Sequence, residues 1–194
     1  MSASTKKKLG KKELGRQRIL DAAREIFAEN GLEGASLRAI AARAGYTPAA
    51  LYFHFNSREA SYAELLRASL TDLAAVIAAA ATGPDAFRSG ALALFDFYAT
   101  RPQELALGLY LSSGGPAPRG LGRAVDLELN ALLLAALAPI RAAAAVASTR
   151  AESLVAEVFA QAVGLLVLSE TRRLRLFGLP ARKLMKRLLE RMPC

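Results

Sequence analysis

Four ring residues follow one another at Tyr52–Phe55, within the stretch AGYTPAALYFHFNSRE at 44–59. This run includes the only histidine, His54, and the only cysteine is Cys194 at the last position. One His and one Cys cannot form a Cys/His metal site or a disulfide framework. The sequence has no glycine-rich phosphate loop and no carboxylate pair in a recognisable setting. We therefore expect no enzyme, metal or cofactor, and interpret the run as a binding surface.

Two short helices must hold this run. Ser36 is a favoured N-cap for the apolar-faced segment LRAIAARA, which Gly45 ends. Only Tyr46 and Thr47 separate that glycine from Pro48. Thr47 is a favoured N-cap, and proline fits the first helical position because its missing N–H has no partner there. The spacing predicts a helix, a glycine-containing turn and a second helix.

Helical phase divides the ring residues between two faces. At 100° per residue Leu51 and Phe55 share the inward face, whereas Phe53 points away, with Tyr52 and His54 on its flanks. An outward Phe suits a helix in the DNA major groove, where it can meet a thymine methyl, and the flanking groups can bond phosphates. Alternatively, Phe53 packs beneath a neighbouring domain and His54 is an ordinary surface histidine.

Residues 16–62, RQRILDAAREIFAENGLEGASLRAIAARAGYTPAALYFHFNSREASY, resemble the N-terminal domain of the TetR family of bacterial transcriptional repressors. The resemblance implies that Ser36 and Tyr52 contact phosphates, that Thr47 to Phe55 form the recognition helix, and that Arg58 holds the DNA backbone. It also implies a palindromic double-stranded operator. The predicted DNA-binding residues are Ser36, Arg43, Thr47, Pro48, Ala49, Ala50, Tyr52, Phe53, His54 and Arg58, together with Lys11 and Lys12.

The sequence departs from the family pattern at two places. Residues 48–50 are Pro-Ala-Ala where many relatives carry Lys, Gly or Thr, so few polar groups are available to read base edges. Ser61 stands where the family usually places a large apolar residue, which leaves the packing of the fourth helix open. We expect specificity to depend on apolar contacts, main-chain groups, DNA shape and the N-terminal arm.

The charge is concentrated at the two ends of the chain. Of the net +9, residues 1–18 carry +6 and residues 172–191 carry +7, which leaves −4 for the rest. We predict a basic flexible arm at 1–15 that follows the DNA backbone or enters a minor groove, or else serves only as a solubilising tail. The C-terminal cluster is interpreted as a solvated helix face, with anionic lipid or a second DNA segment as alternatives.

No apolar segment follows the basic N-terminus, so we expect a cytoplasmic protein. The longest apolar tract, ALLLAALAPIRAAAAVA from Ala131, contains Pro139 and Arg141 and is interpreted as a buried helix. Apolar residues recur at helical spacing almost throughout, and we predict an all-α fold. Its parts are a three-helix helix-turn-helix domain at 16–62, with a first helix from Arg16 to Asn30, and a helical effector-binding and dimerisation domain at 63–194.

Turn signals divide residues 63–194 into about six helical segments. The helices predicted at 152–177 and 180–191 are apolar enough to form half of a four-helix bundle in a homodimer, or to pack only within their own subunit. A small, mainly apolar effector is expected between the helices of this domain. Its predicted ligands are Phe95, Tyr98, Tyr110, Asn130, Phe159 and Gln161.

A buried Asn or Gln needs a partner or a ligand. Asn130 and Gln161 could instead bond within the core or across the dimer interface, without any pocket. For the whole chain, the competing interpretation is a ligand-independent architectural DNA-binding protein. Both alternatives leave the helix-turn-helix prediction unchanged.

Overall fold

The computed structural model describes residues 13–26, 29, 36–55, 58–109, 121–147 and 149–192. Within these ranges every regular element is helical, which confirms the predicted all-α fold. The α-helices are α1 (residues 13–26), α2 (Leu37–Ala44), α3 (Pro48–His54), α4 (Arg58–Ala80), α5 (Ala86–Ala99), α6 (Pro102–Gly108), α7 (Arg123–Ala147), α8 (Ala151–Glu170) and α9 (Ala181–Arg191). A 3₁₀ turn, Arg173–Phe177, lies between α8 and α9.

The described residues fall into two compact units. The first unit lies within Met1–Arg67 and Gln103–Asp126, and the second lies within Ala68–Pro102 and Leu127–Cys194. The first unit is thus larger than the predicted domain at 16–62. Helix α4 begins in one unit and continues into the other.

The core of the first unit is built around α1. Ile19, Leu20, Ala22, Ala23 and Ile26 are buried on one side of this helix, as its apolar spacing predicts. The helix is already formed at residue 13, so the predicted start at residue 16 is wrong, and residues 13–15 of the predicted arm are helical. The predicted end at 30–31 lies outside the described residues.

The core of the second unit is centred on α5, which packs against α8 and α9. Phe87, Leu94 and Phe95 are among its buried side chains. At Gly90 an added Cβ would lie 3.0 Å from both the Ala81 Cβ and the Ile140 Cγ1. Glycine is therefore needed there, because a side chain would push α5 away from α7.

Helix α9 is tied to α5 near both of its ends. The Arg182 guanidinium donates two hydrogen bonds of 2.7 Å to the Asp96 carboxylate, and this pairing raises the pKa of Arg182. Towards the other end, Arg88 donates through Nε to the Leu189 carbonyl at 3.1 Å. The Leu189 carbonyl also accepts from the Met192 N–H at 3.3 Å, so Arg88 adds a second donor at the C-terminus of α9.

The predicted helix at 152–177 is not continuous. It ends at Glu170, Arg172 adopts a left-handed conformation with φ of 58°, and a 3₁₀ turn follows. Leu174 in that turn is buried. In an unbroken helix at 100° per residue, Leu174 would lie about 140° from the centre of the buried face of α8. The break thus brings an apolar side chain to the core that a straight helix would leave in solvent.

The apolar tract from Ala131 forms α7, but only one side of it is buried, which corrects the prediction. Ala136, Leu137, Ile140 and Ala144 face the core, whereas other apolar side chains of the helix are exposed. Residues Arg123–Val146 and Ala151–Glu170 are long and apolar enough to cross a membrane by length and composition. This is weak evidence, because core helices of soluble proteins pass the same test.

Candidate nucleic-acid interface

Helix α2 begins and ends as its sequence predicts. The Ser36 Oγ accepts a hydrogen bond of 3.1 Å from the Ala39 N–H, which is the geometry of an N-cap. Gly45 ends the helix with φ of 75°, and the next N–H, that of Tyr46, bonds the Ala41 carbonyl at 2.8 Å. A left-handed residue of this kind favours glycine, and it turns the chain sharply towards α3.

Helix α3 starts after the predicted two-residue connection. The Thr47 Oγ1 accepts from the Ala50 N–H at 3.2 Å, and Pro48 occupies the first helical position. Leu51 and Phe55 are buried, which confirms the predicted inward face. The backbone of Pro48–His54 is helical, so the predicted recognition segment is a helix held from one side by the core of its own unit.

The start of α3 is open to solvent. Thr47, Pro48 and Ala49 are exposed, and Ala50 is half-buried. Ser36 is exposed as well. Because Ser36 and Thr47 accept their capping bonds through oxygen lone pairs, each hydroxyl retains its own hydrogen for donation to a phosphate oxygen.

Arg43 has a more constrained position than its assignment to the DNA-binding set suggested. Its guanidinium donates bonds of 2.9 and 2.5 Å to Glu29 and one of 3.0 Å to Glu25. The two bonds to Glu29, and then the bond to Glu25, raise the pKa of Arg43, while the bonds from Arg43 lower the pKa of Glu29. One cation is therefore paired with two carboxylates, and Arg43 links α2 to Glu25 of α1 and to Glu29.

Arg16 was missed as a site residue and was counted only among the basic charges. Its guanidinium carbon lies 5.7 Å from the centroid of the Phe55 ring, and it forms an ion pair with Glu64. It thus connects α1 with the residue that ends α3 and with α4, and so supports the recognition segment. An Arg and a Phe 39 positions apart give no local sequence signal of this contact.

The remaining predicted DNA-binding side chains lie outside the described part of the structure. They are those of Tyr52, Phe53, His54 and Arg58, together with Lys11 and Lys12. Their roles stay predictions. Ser61, for which the packing was open, is buried in α4.

The predicted effector residues do not share one environment. Phe95 and Tyr98 are buried on α5, and Phe159 is half-buried on α8. Asn130 and Gln161 are exposed, so the expectation that they are buried in the subunit is wrong. Tyr110 lies outside the described residues. Asn130 and Gln161 therefore cannot join Phe95 and Tyr98 in a cavity enclosed by one chain.

A polar cleft of about 650 Å³ lies between the end of α8 and the start of α9. Arg172, Arg175, Glu170 and Pro180 are among its lining residues, and none of the predicted effector residues lines it. In the part of the chain that the structure describes, no group of three or more His, Cys, Asp or Glu side chains could hold a metal ion.

Comparison with known proteins agrees with this geometry. Residues 19–65 match the family described as bacterial regulatory proteins, tetR family. The HTH-type transcriptional regulator UidR of Escherichia coli (strain K12) is 56% identical over 45 residues, a stretch that is 23% of this chain and 23% of UidR. The match thus spans less than a quarter of that relative's length.

Solved structures resemble the chain over most of its length. The regulatory protein SCO4313 has a TM-score of 0.75 at 23% identity, with 92% of this chain and 95% of that one covered. FadR from Bacillus subtilis, in complex with stearoyl-CoA, has a TM-score of 0.67 at 16% identity, with 90% and 95% covered. At these identities the likeness shows the fold alone.

The capped α2–α3 pair within an all-helical fold has the layout of a helix-turn-helix. The N-terminal part of the chain, residues 19–65, is thus similar to the TetR family of helix-turn-helix transcriptional regulators, as residues 16–62 predict.

Proposed function

We propose that this protein is a cytoplasmic, DNA-binding transcriptional repressor that a small, mainly apolar effector releases from a palindromic operator. The observation that carries the proposal is the α2–α3 pair, with Ser36 and Thr47 as caps and the exposed start of α3 beside them. A helix held from behind by Leu51 and Phe55 can enter a major groove without loss of its own packing.

Tyr52 and Phe53 provide the direct test of this interface. Tyr52→Phe should weaken binding by about 1 kcal/mol, the scale of one lost hydrogen bond, and should do so equally on all duplexes. Phe53→Ala should instead change the preference at a thymine position, because it removes contact with the methyl group. Binding of both variants to a randomised duplex library, followed by sequencing, separates the two effects. If neither variant differs from the wild type, α3 is not the reading helix.

Homodimerisation is part of the proposal, because a palindrome matches a two-fold protein with two reading helices. The two helices predicted to form the dimer interface, α8 and α9, differ in the residues that they expose. On the outward side of α8, Ala156, Ala160 and Gly164 are exposed beside Glu157. The exposed side of α9 carries charge at every position, which opposes its pairing with a second α9. Sedimentation of the wild type as a monomer at micromolar concentration would remove the dimer.

The effector is proposed to enter the second unit. Ser69 on α4 supports this, because its hydroxyl is fully buried and has no hydrogen-bond partner in the described part of the chain. A ligand oxygen could satisfy that hydroxyl among apolar neighbours. The structural neighbour FadR from Bacillus subtilis was solved with stearoyl-CoA, which makes acyl compounds one class to test.

The effector experiment uses two readouts on one panel of aromatic, terpenoid and acyl compounds. A true effector must raise the melting temperature of the DNA-free protein and weaken its DNA complex, since it binds the released state more tightly. Ser69→Ala should reduce both responses together, whereas Ser89→Ala on α5 serves as a control serine. A panel without any such compound would favour the ligand-independent architectural DNA-binding protein, which also predicts no preference among duplex sequences.

A further inference from the structure

The 3₁₀ turn Arg173–Phe177 exposes two neighbouring apolar side chains. Leu176 is 83% exposed and Phe177 is 71% exposed. Among the residues that the structure describes, these are the only large apolar side chains exposed next to each other, and Phe177 is the only exposed aromatic ring. Single apolar residues are common on protein surfaces, whereas an adjacent leucine and phenylalanine form a patch that a partner can cover.

The backbone of this turn is held in place on both sides of the pair. The Arg175 N–H bonds the Arg172 carbonyl at 3.2 Å, and the Gly178 N–H bonds the Arg175 carbonyl at 3.2 Å. Leu174 is buried and anchors the turn to the core of the second unit. Leu176 and Phe177 are therefore presented to solvent by a hydrogen-bonded turn.

Three arginines lie in or next to the same turn. Arg172, Arg173 and Arg175 are exposed, and no carboxylate within the described ranges pairs with any of them. Residues three positions apart lie on the same side of a 3₁₀ helix, so Arg173 and Leu176 share a side. These guanidinium groups thus remain available to an anionic partner that also covers the apolar pair.

Helix α9 extends the positive charge beyond the turn. Arg182 is already paired with Asp96. The other exposed cations occupy positions i, i+3, i+4 and i+8 and so lie on one face, beside the single acid Glu190: Lys183, Lys186, Arg187 and Arg191. The eleven residues of the helix span about 16 Å. A basic surface of this length beside an apolar pair suits an extended anionic partner rather than one small anion.

The apolar pair distinguishes between the partners that positive charge would attract. Duplex DNA presents phosphates and sugars along its backbone and has no hydrocarbon surface there to cover Leu176 and Phe177. A second copy of the same segment, related by a two-fold axis, would bring cations against cations. A bilayer with anionic lipids offers negative headgroups and hydrocarbon directly beneath them. Only the bilayer matches both features of the surface.

We propose that the 3₁₀ turn and α9 form a peripheral binding site for an anionic phospholipid surface. Leu176 and Phe177 enter the boundary between the headgroups and the acyl chains, while Arg173 and Arg175 remain at the level of the phosphates. An aromatic side chain suits this boundary, where aromatic residues of membrane proteins are also enriched. The protein thereby gains an anionic partner that it binds without the helix-turn-helix.

The polar cleft beside the turn adds a place for a headgroup. Its charged lining residues are Arg172, Arg175 and Glu170, which together carry a net charge of +1. A phosphodiester carries one negative charge, and the cleft volume of about 650 Å³ leaves room for it. The cleft and the apolar pair thus contact the same lipid surface at two depths.

Tryptophan provides a local probe of this site, because the sequence contains none. The emission of full-length Phe177→Trp should move to shorter wavelength with vesicles of equal parts phosphatidylcholine and phosphatidylglycerol, because the indole enters apolar surroundings. Vesicles of phosphatidylcholine alone should cause no shift. Val146→Trp is the matched control, since Val146 is 90% exposed but precedes α8, a helix of about 30 Å, whereas the turn follows it. Its emission should not change with either vesicle.

The contribution of charge is measured separately by vesicle co-sedimentation. Arg173→Gln should lower the partition coefficient on the anionic vesicles about 5-fold, the scale of one cation near such a surface. Arg150→Gln changes the total charge equally, at the start of α8, and should leave the coefficient unchanged. The basic N-terminus also attracts anionic vesicles, but it does not carry the tryptophan at position 177.

Several results would overturn the membrane site. The first is an unchanged emission of Phe177→Trp on anionic vesicles, and the second is an equal shift of Val146→Trp. A shift with duplex DNA and no vesicles would assign the surface to nucleic acid instead. A shift that depends on protein concentration in buffer alone would assign it to a second copy. If circular dichroism shows Phe177→Trp unfolded, Leu176→Trp is measured in its place against the same criteria.

Discussion

Replacement of Glu29 by Gln tests whether Arg43 is held away from DNA by its acidic partners. The substitution replaces the carboxylate that accepts bonds of 2.9 and 2.5 Å by a neutral amide, whose single oxygen can accept from Arg43 beside the 3.0 Å bond to Glu25. The net charge of the three side chains changes from −1 to zero. Arg43 then gives up weaker hydrogen bonds when it turns towards a phosphate. The variant should therefore bind DNA more tightly than the wild type.

The size of the effect follows from counterion release. One additional phosphate contact makes the plot of log affinity against log salt steeper by about 0.9. Between 50 and 200 mM salt, a fourfold change, the advantage of Glu29→Gln over the wild type should therefore shrink by about 3.5-fold. Fluorescence anisotropy with one fixed duplex at three salt concentrations measures this slope.

Glu13→Gln is the matched control, because Glu13 is exposed on α1 and the substitution changes the net charge by the same amount. Equal slopes for the two variants would refute the reasoning, since the effect would then be one of total charge. The pH dependence gives a second check. The pKa of Glu29 is lowered in the folded state, so its contribution to stability is present at neutral pH. It is lost as the pH falls through that lowered pKa, and Glu29→Gln should not show this loss.

Substitutions at two further positions and one deletion test other parts of the structure. Thr47→Ala should destabilise the protein by about 1 kcal/mol and weaken DNA binding, while Thr47→Ser should retain the cap, as thermal melting can show. Gly90→Val should lower stability by about 1–3 kcal/mol because its side chain meets Ala81 and Ile140, with a smaller cost for Gly90→Ala. Deletion of residues 1–12, which include five lysines, should flatten the salt dependence of DNA binding. An unchanged slope would exclude the arm from the interface.

The helix-turn-helix could be predicted because its signals are local. Ser36, Gly45, Thr47 and Pro48 act on amides or turns within a few residues of themselves, and each was found in its predicted role. The partners of Arg43 could not be predicted in this way. They lie 18 and 14 positions earlier, and only the packing of the folded unit brings them together.

The second unit was harder to predict because α7 and α8 are apolar on most sides. Where apolar residues surround a helix, their period no longer shows which side faces the core. Asn130 and Gln161 were therefore assigned to the interior, although both are exposed. The break at Arg172 was missed for a related reason, since no glycine or proline marks it.

The bidentate pair between Asp96 and Arg182 joins residues 86 positions apart. Chains are synthesised at about 5–20 residues per second, so Arg182 follows Asp96 by roughly 4–17 s. During that time α9 has not been synthesised, so the side of α5 that packs against it stays exposed. Apolar surface exposed in this way makes nascent chains prone to aggregation and is the kind that chaperones bind. Helix α9, which is eleven residues long, thus sets the time at which the core of the second unit becomes covered during synthesis.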